Sequence, residues 1–104
     1  MPFTRGFDPV LLPDHFARHG AGVNTTSEAE YVAAADVFLG GPRDPQTTLE
    51  CIRANRDVIR YNQVTQEFGL LSSRRIIRTY FKPSPRRHRY PTNLAYYFAE
   101  CHRT

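Results

Sequence analysis

The segment LECIRANRDVIRYNQVTQEFGLLSSRRIIRTYFK, residues 49–82, is where the apolar pattern leaves the helical period for the two-residue alternation of strands. Residues 49–56 read as one strand, Asp57 or a neighbour as its turn, and residues 58–62 as its hairpin partner. Residues 67–72 and 76–82 read as two further strands, joined by the tight polar link Ser73, Arg74 and Arg75. Four short consecutive strands predict an antiparallel meander. Simple alternation along the last strand puts Ile77, Thr79 and Phe81 on one face and Arg78, Tyr80 and Lys82 on the other.

Helices are expected on either side of this segment. Residues 1–13 mix Pro, Gly and scattered apolar residues without a period, which reads as a linker or docking arm ahead of a single domain, residues 14–104. A short helix is expected over residues 14–18, capped by Asp14 and ended by Gly20 and Gly22. Thr25, Thr26 and Ser27 ahead of Glu28 and Glu30 announce an Ala-rich helix over residues 28–39, stopped by Gly40-Gly41-Pro42, with Tyr31, Ala34, Ala35, Phe38 and Leu39 on its inner stripe. After Pro83 and Pro85, Thr92 or Asn93 caps a last helix whose inward stripe is Leu94, Tyr97, Phe98 and Cys101. The fold class is α+β, with the helices on one face of the sheet.

Charge is divided unequally along the chain. Residues 1–67 hold six Arg against nine Asp and Glu, about −3, whereas residues 68–104 hold seven Arg and one Lys against one Glu, +7. Thirteen of the fourteen cations are arginine, whose planar fork suits phosphate. The stretch RRIIRTYFKPSPRRHRY, residues 74–90, carries seven cations and a histidine with no carboxylate, so it calls for an anionic partner, with RNA foremost. Two cysteines, Cys51 and Cys101, are too few for a zinc site and are expected as free thiols. No apolar run reaches the roughly 18 residues of a membrane span, and there is no signal-peptide core at the N-terminus.

Several side chains could carry chemistry. His15 and His19, four apart on one helix face, could bind metal, cap and decorate the helix end, or act as acid and base in RNA transesterification. The metalloprotease pattern fails because Phe16 follows the first histidine, and no third ligand is evident. Arg53, Asn55 and Asp57 alternate on one face of the first hairpin, either solvated or meeting substrate, and Arg53 could steady a developing phosphorane. Thr79 is either a packing residue or a hydroxyl at the core rim within reach of phosphate. Arg86, Arg87, His88 and Arg89, with Arg78 and Lys82, are candidate phosphate grips. Tyr61, Tyr80 and Tyr90 are either core or platforms for unpaired bases.

These residues together resemble a known family. HFARHG at 15–20, RANRD at 53–57, RYNQVTQEFG at 60–69, RTYFKP at 78–83 and NLAYYF at 93–98 occur in the order seen in C-terminal toxin domains of the barnase–EndoU–colicin–RelE (BECR-like) ribonuclease group. One departure is the turn before the basic strand, Ser72-Ser73-Arg74-Arg75, where such domains often carry Asp-Gly. The resemblance implies a metal-independent endoribonuclease, often aimed at tRNA, that needs no cofactor and leaves a 2′,3′-cyclic phosphate. It implies His15 and His19 as acid–base residues, Arg53 and Lys82 on the scissile phosphate, and Thr79 and Tyr97 completing the site; Tyr61, Arg78, Arg86 and Arg87 are expected as substrate contacts from the residues themselves. It further implies delivery as the C-terminal part of a larger secreted bacterial effector, action in the target-cell cytoplasm, and neutralisation by an acidic cognate immunity protein. The domain alone is expected as a monomer, and the loose arm points to a longer chain. Two other classes fit the same arginines: a non-catalytic nucleic-acid-binding module, and a domain that docks an acidic protein.

Overall fold

In a computed structural model of the chain, residues 2–103 are described. Helix α1 (Leu12–His19) and a 3₁₀ turn (Ala21–Val23) lead into α2 (Glu28–Gly40). Strands β1 (Thr48–Ile52), β2 (Val58–Asn62), β3 (Phe68–Leu71) and β4 (Ile77–Phe81) follow, and α3 (Pro85–His88) and α4 (Asn93–Cys101) close the chain. The sheet is the expected antiparallel meander in the order β1-β2-β3-β4.

The helices cover both faces of the sheet, not one. Tyr31, Ala35 and Leu39 of α2 pack with Leu71, Ile77 and Tyr80 in one core, to which α1 adds Leu12 and Phe16. Ile59, Tyr61 and Phe68 point the other way, where Leu94 and Tyr97 of α4 meet them in a second core. α2 lies so close to β3 that a Cβ at Gly69 would stand 2.9 Å from the Leu39 side chain. Apolar residues on both faces of β3, Phe68 and Leu70 toward α4 and Leu71 toward α2, are the sequence trace of this two-sided burial.

An irregularity in β4 sets which residues face which core. Phe68 pairs with Phe81, Gly69 with Tyr80 and Leu70 with Thr79, but Leu71 pairs with Ile77, so Arg78 is one residue too many. This bulge breaks the alternation expected for the strand. Ile77 joins Tyr80 in the α2 core, while Thr79 and Phe81 turn to the opposite face, and Arg78 is left exposed.

The N-terminal arm docks at the same place. Phe7 is buried and bridges Ile77 in parallel, with Ile77 N–H donating to Gly6 O and Asp8 N–H to Ile77 O. Gly6, at φ 88°, takes a conformation that glycine enters without a steric penalty. Asp36, on α2 and wholly buried, accepts from the Thr4 N–H, the Thr4 hydroxyl and the Phe3 N–H, which fixes the arm from the inside. A buried carboxylate must be saturated with donors, and the arm supplies them.

Local signals place most helix ends. Ser27 Oγ accepts from Glu30 N–H, while Glu30 reaches back to Thr26 N–H, so the two halves of a capping box are served by Ser27 and Thr26. Thr92 caps α4 through Ala95 N–H. α1 instead starts two residues before Asp14, with Pro13 in its first turn; Asp14 is not its cap but pairs with Arg18 on the exposed side. On α4, Phe98 faces solvent (52 % exposed) and Tyr96 takes the inward place expected of it.

Cys51 and Cys101 are disulfide-bonded, not free, with their Cα atoms 6.0 Å apart and a sequence separation of 50. The pairing follows from α4 covering the β1–β2 side of the sheet, a contact that no local pattern announces. Closing a loop of this length is worth about 4 kcal/mol by the chain-entropy relation. We predict that Cys51→Ser or Cys101→Ser lowers unfolding free energy by up to about that amount in denaturant titrations. A change below about 1 kcal/mol would mean that the bond does not constrain the unfolded chain.

Candidate active site

α1 is amphipathic in a way that serves two masters. Leu12 and Phe16 pack into the α2 core, and His15, Arg18 and His19 fall on the adjoining stripe. That stripe forms one wall of a cleft of about 610 Å³ on the sheet face opposite α2. Phe68, Leu70, Thr79 and Phe81 make its floor, Tyr96 and Glu100 of α4 its far wall, and Lys82, Ser84, Arg87 and His88 its rim. The β4 bulge is what brings Thr79 and Phe81 to this face.

The two imidazoles lie side by side, with ring centroids 6.0 Å apart. His15 Nδ1 is 3.0 Å from Leu11 O, and since a carbonyl only accepts, Nδ1 carries the proton and Nε2 is left for other chemistry. His19 rests on Phe81, centroids 4.9 Å apart. Burial, followed by the positive charge of Arg18, His15 and Arg87, lowers the His19 pKa below its ordinary value of 6.5. His19 is therefore neutral at pH 7.

The third histidine of the cleft is tied down. His88 Nδ1 accepts from Tyr90 N–H, so its proton sits on Nε2 and is donated to Asn93 Oδ1 at 2.8 Å. Its ring stacks on Tyr96, centroids 4.4 Å apart and 9° from parallel. Asn93 in turn donates to Gln66 Oε1, which also accepts from the Tyr61 hydroxyl. Burial and the nearby Glu100 push the Tyr96 phenol up to about 12, so Tyr96 offers a neutral aromatic face.

Of the residues expected to form a site, the cleft gathers His15, His19, Thr79, Lys82 and Arg87. Others lie elsewhere. Arg53 is in the β1–β2 turn and not on a strand, and its guanidinium is spent on the Glu100 carboxylate (3.1 Å) and backbone carbonyl (2.8 Å) and on Asp57 (3.9 Å). It holds Glu100 in the cleft wall and does not itself line the cleft. Asn55 and Asp57 bond to each other within that same turn. Tyr61 and Tyr97 stack on each other in the second core, and burial raises both phenol pKa values. Arg78 is on the bulge, paired with Asp8 at 3.3 Å, and Arg86 is exposed on α3 outside the cleft lining. Tyr80 is core.

Arg18, Ser84, Tyr96 and Glu100 are cleft residues that the sequence reading passed over. A clue was present for the last two. Tyr96 and Glu100 are four apart on α4, so a lone acid on an apolar helix shared a stripe with an aromatic ring. Among the described residues no group of three or more His, Cys, Asp and Glu is placed to hold a metal ion. No protein-family model matches this chain, and no curated protein matches it significantly.

The lowered His19 pKa has two measurable consequences. In an NMR titration the His19 ring should change state below pH 6.5, and Arg18→Gln or Arg87→Gln should move that midpoint upward; a midpoint above 6.5 in the parent protein would contradict the geometry. The unfolded chain takes up the proton more readily than the folded one, so this residue costs no stability above pH 6.5 and lowers stability as the pH falls from there through its folded value. His19→Gln should therefore flatten the acid side of the stability profile.

Proposed function

We propose that this domain is a metal-independent endoribonuclease of the toxin type, acting on RNA and foremost on tRNA. The observation that carries the reading is the pair His15 and His19, 6.0 Å apart on one wall of a cleft whose other polar groups include Arg18, Lys82 and Arg87. Both rings line the same cleft, so a phosphodiester that enters it meets both imidazoles. Lys82 and Arg87, neither paired with a carboxylate among the described residues, and Arg18, which shares its charge with Asp14, favour a phosphodiester over a neutral substrate.

In this reading neutral His19 takes the proton from the ribose 2′-hydroxyl, whose oxygen attacks the adjacent phosphorus. Negative charge builds on the pentacoordinate phosphorane, where Lys82 and Arg87 steady it, and the Thr79 hydroxyl donates a further hydrogen bond. Protonated His15 gives its Nε2 proton to the departing 5′-oxygen while Leu11 O keeps the ring oriented through Nδ1. The products are a 2′,3′-cyclic phosphate and a free 5′-hydroxyl. No step calls for a metal ion. The Tyr96 ring and the Phe68 and Phe81 floor offer apolar faces to the bases flanking the cut.

The reading extends to delivery. A disulfide between Cys51 and Cys101 suits a domain that passes through an oxidising compartment, as the C-terminal part of a secreted bacterial effector would. An immunity protein that blocks a cationic cleft would be acidic. Among the described residues no helix is long and apolar enough to cross a membrane.

The test is incubation with total tRNA, with and without EDTA. Discrete EDTA-resistant fragments ending in cyclic phosphate are expected, and His19→Ala or His15→Ala should lower kcat roughly 10²- to 10⁴-fold at unchanged melting temperature. Intact tRNA that nevertheless binds the protein would refute the nuclease reading in favour of a binding module.

A further inference from the structure

The turn end of the sheet, outside the cleft lining, carries a second set of cations. The β1–β2 turn (Arg53–Asp57) and the β3–β4 turn (Ser72–Ile76) meet there, and the docked arm adds Arg5, whose N–H donates to Arg75 O. Arg5, Arg56, Arg74 and Arg75 are all exposed. The two carboxylates at this end are already paired, Asp8 with Arg78 and Asp57 with Arg53. Four arginines are thus left without a carboxylate partner among the described residues.

Two of these arginines stand where arginine is a poor conformational choice. Arg56 (φ 75°) and Arg75 (φ 65°) occupy the left-handed region at the turn tips, which Gly or Asn enters with less strain. The β1–β2 turn would close more comfortably with a small residue at position 56, yet it presents a guanidinium with no side-chain partner among the described residues, whereas the exposed Arg75 guanidinium also donates to Phe3 O (2.6 Å). Backbone strain retained for the sake of a particular side chain points to a use for that side chain.

We propose that these turn tips form a second phosphate-backbone site, which grips the same RNA at a distance from the point of cleavage. The inference rests on the nuclease reading above and names its substrate class more narrowly. Arg75 and Lys82 are separated by the length of β4, on the order of 20 Å at the rise of about 3.3 Å per residue. The two phosphates of a short fragment cannot reach both ends. A folded RNA, tRNA among them, can. The arginines position the substrate and take no part in the chemistry.

Arg56→Gly with Arg74→Gln tests this without threatening the fold, since Gly relieves the strain at position 56 and the Arg74 side chain makes no hydrogen bond within the described residues. Binding of total tRNA is measured by fluorescence anisotropy across a salt series in the His19→Ala background, and cleavage of tRNA and of a dinucleotide in the otherwise unchanged protein. The double variant should bind tRNA roughly tenfold more weakly at 0.15 M salt, with a log–log salt slope shallower by about 1.5, because two phosphate contacts are lost. Its rate on a dinucleotide should not change. A shallower slope in a protein that cleaves nothing would uphold this site and sink the nuclease reading instead. An unchanged slope would overturn the proposal whether or not tRNA is cut, and so would absence of tRNA binding by the parent. Loss of affinity for an acidic protein at an unchanged tRNA slope would likewise overturn it and reassign the surface to a protein partner.

Discussion

One extra residue in β4 decides how this small domain is built. Had β4 alternated regularly against β3, Ile77 would share a face with Thr79 and Phe81, and the core under α2 would lose its best-buried aliphatic contact with the last strand. The bulge at Arg78 lets Ile77 and Tyr80 both serve the α2 core while Thr79 and Phe81 floor the cleft on the other side. It also leaves the Ile77 backbone as the docking rung for the arm, which Asp36 holds from within. Fold, arm and cleft therefore hang on the same local departure from strand geometry.

Two-sided burial in a chain of 104 residues leaves little spare apolar surface. α4 is nine residues long and carries the whole second core, which is why a covalent link at its end is useful. The same helix brings Glu100 to the cleft and Arg53 holds that carboxylate in place, so the stability of α4 and the shape of the far wall are one problem. On the other wall, α1 contributes its apolar stripe to the α2 core and its polar stripe to the cleft. The position of the imidazoles is set by Leu12 and Phe16 packing behind them.

What could be read from residues alone followed the range of the forces involved. The α2 and α4 caps, the β2 boundaries and the meander are short-range matters, and Ser27, Thr92 and the alternation of Val58 to Asn62 declare them. Contacts between distant parts of the chain were not declared. Nothing near Asp36 says that it will be buried beneath Thr4, and nothing near Cys51 says that Cys101 will arrive beside it. In the cleft, the histidines, Thr79, Lys82 and Arg87 were legible because their residue types suit phosphate chemistry. Arg53 suits it equally well, and only the approach of Glu100 reveals that its charge is already spent. Tyr97 entered the expected site through the family resemblance, and its place on the inward stripe puts it in the second core while its neighbour Tyr96 lines the cleft.

The most direct measurement is an NMR titration of the protein with an RNA hairpin made uncleavable by 2′-O-methylation of every ribose. The His15 and His19 ring signals and the Thr79, Lys82 and Arg87 backbone amides should move together and saturate together, with the His19 ring titrating at a higher pH once a phosphate lies beside it. Shifts that bypass both histidines and gather only at the exposed arginines would contradict a cleft built for phosphodiester chemistry.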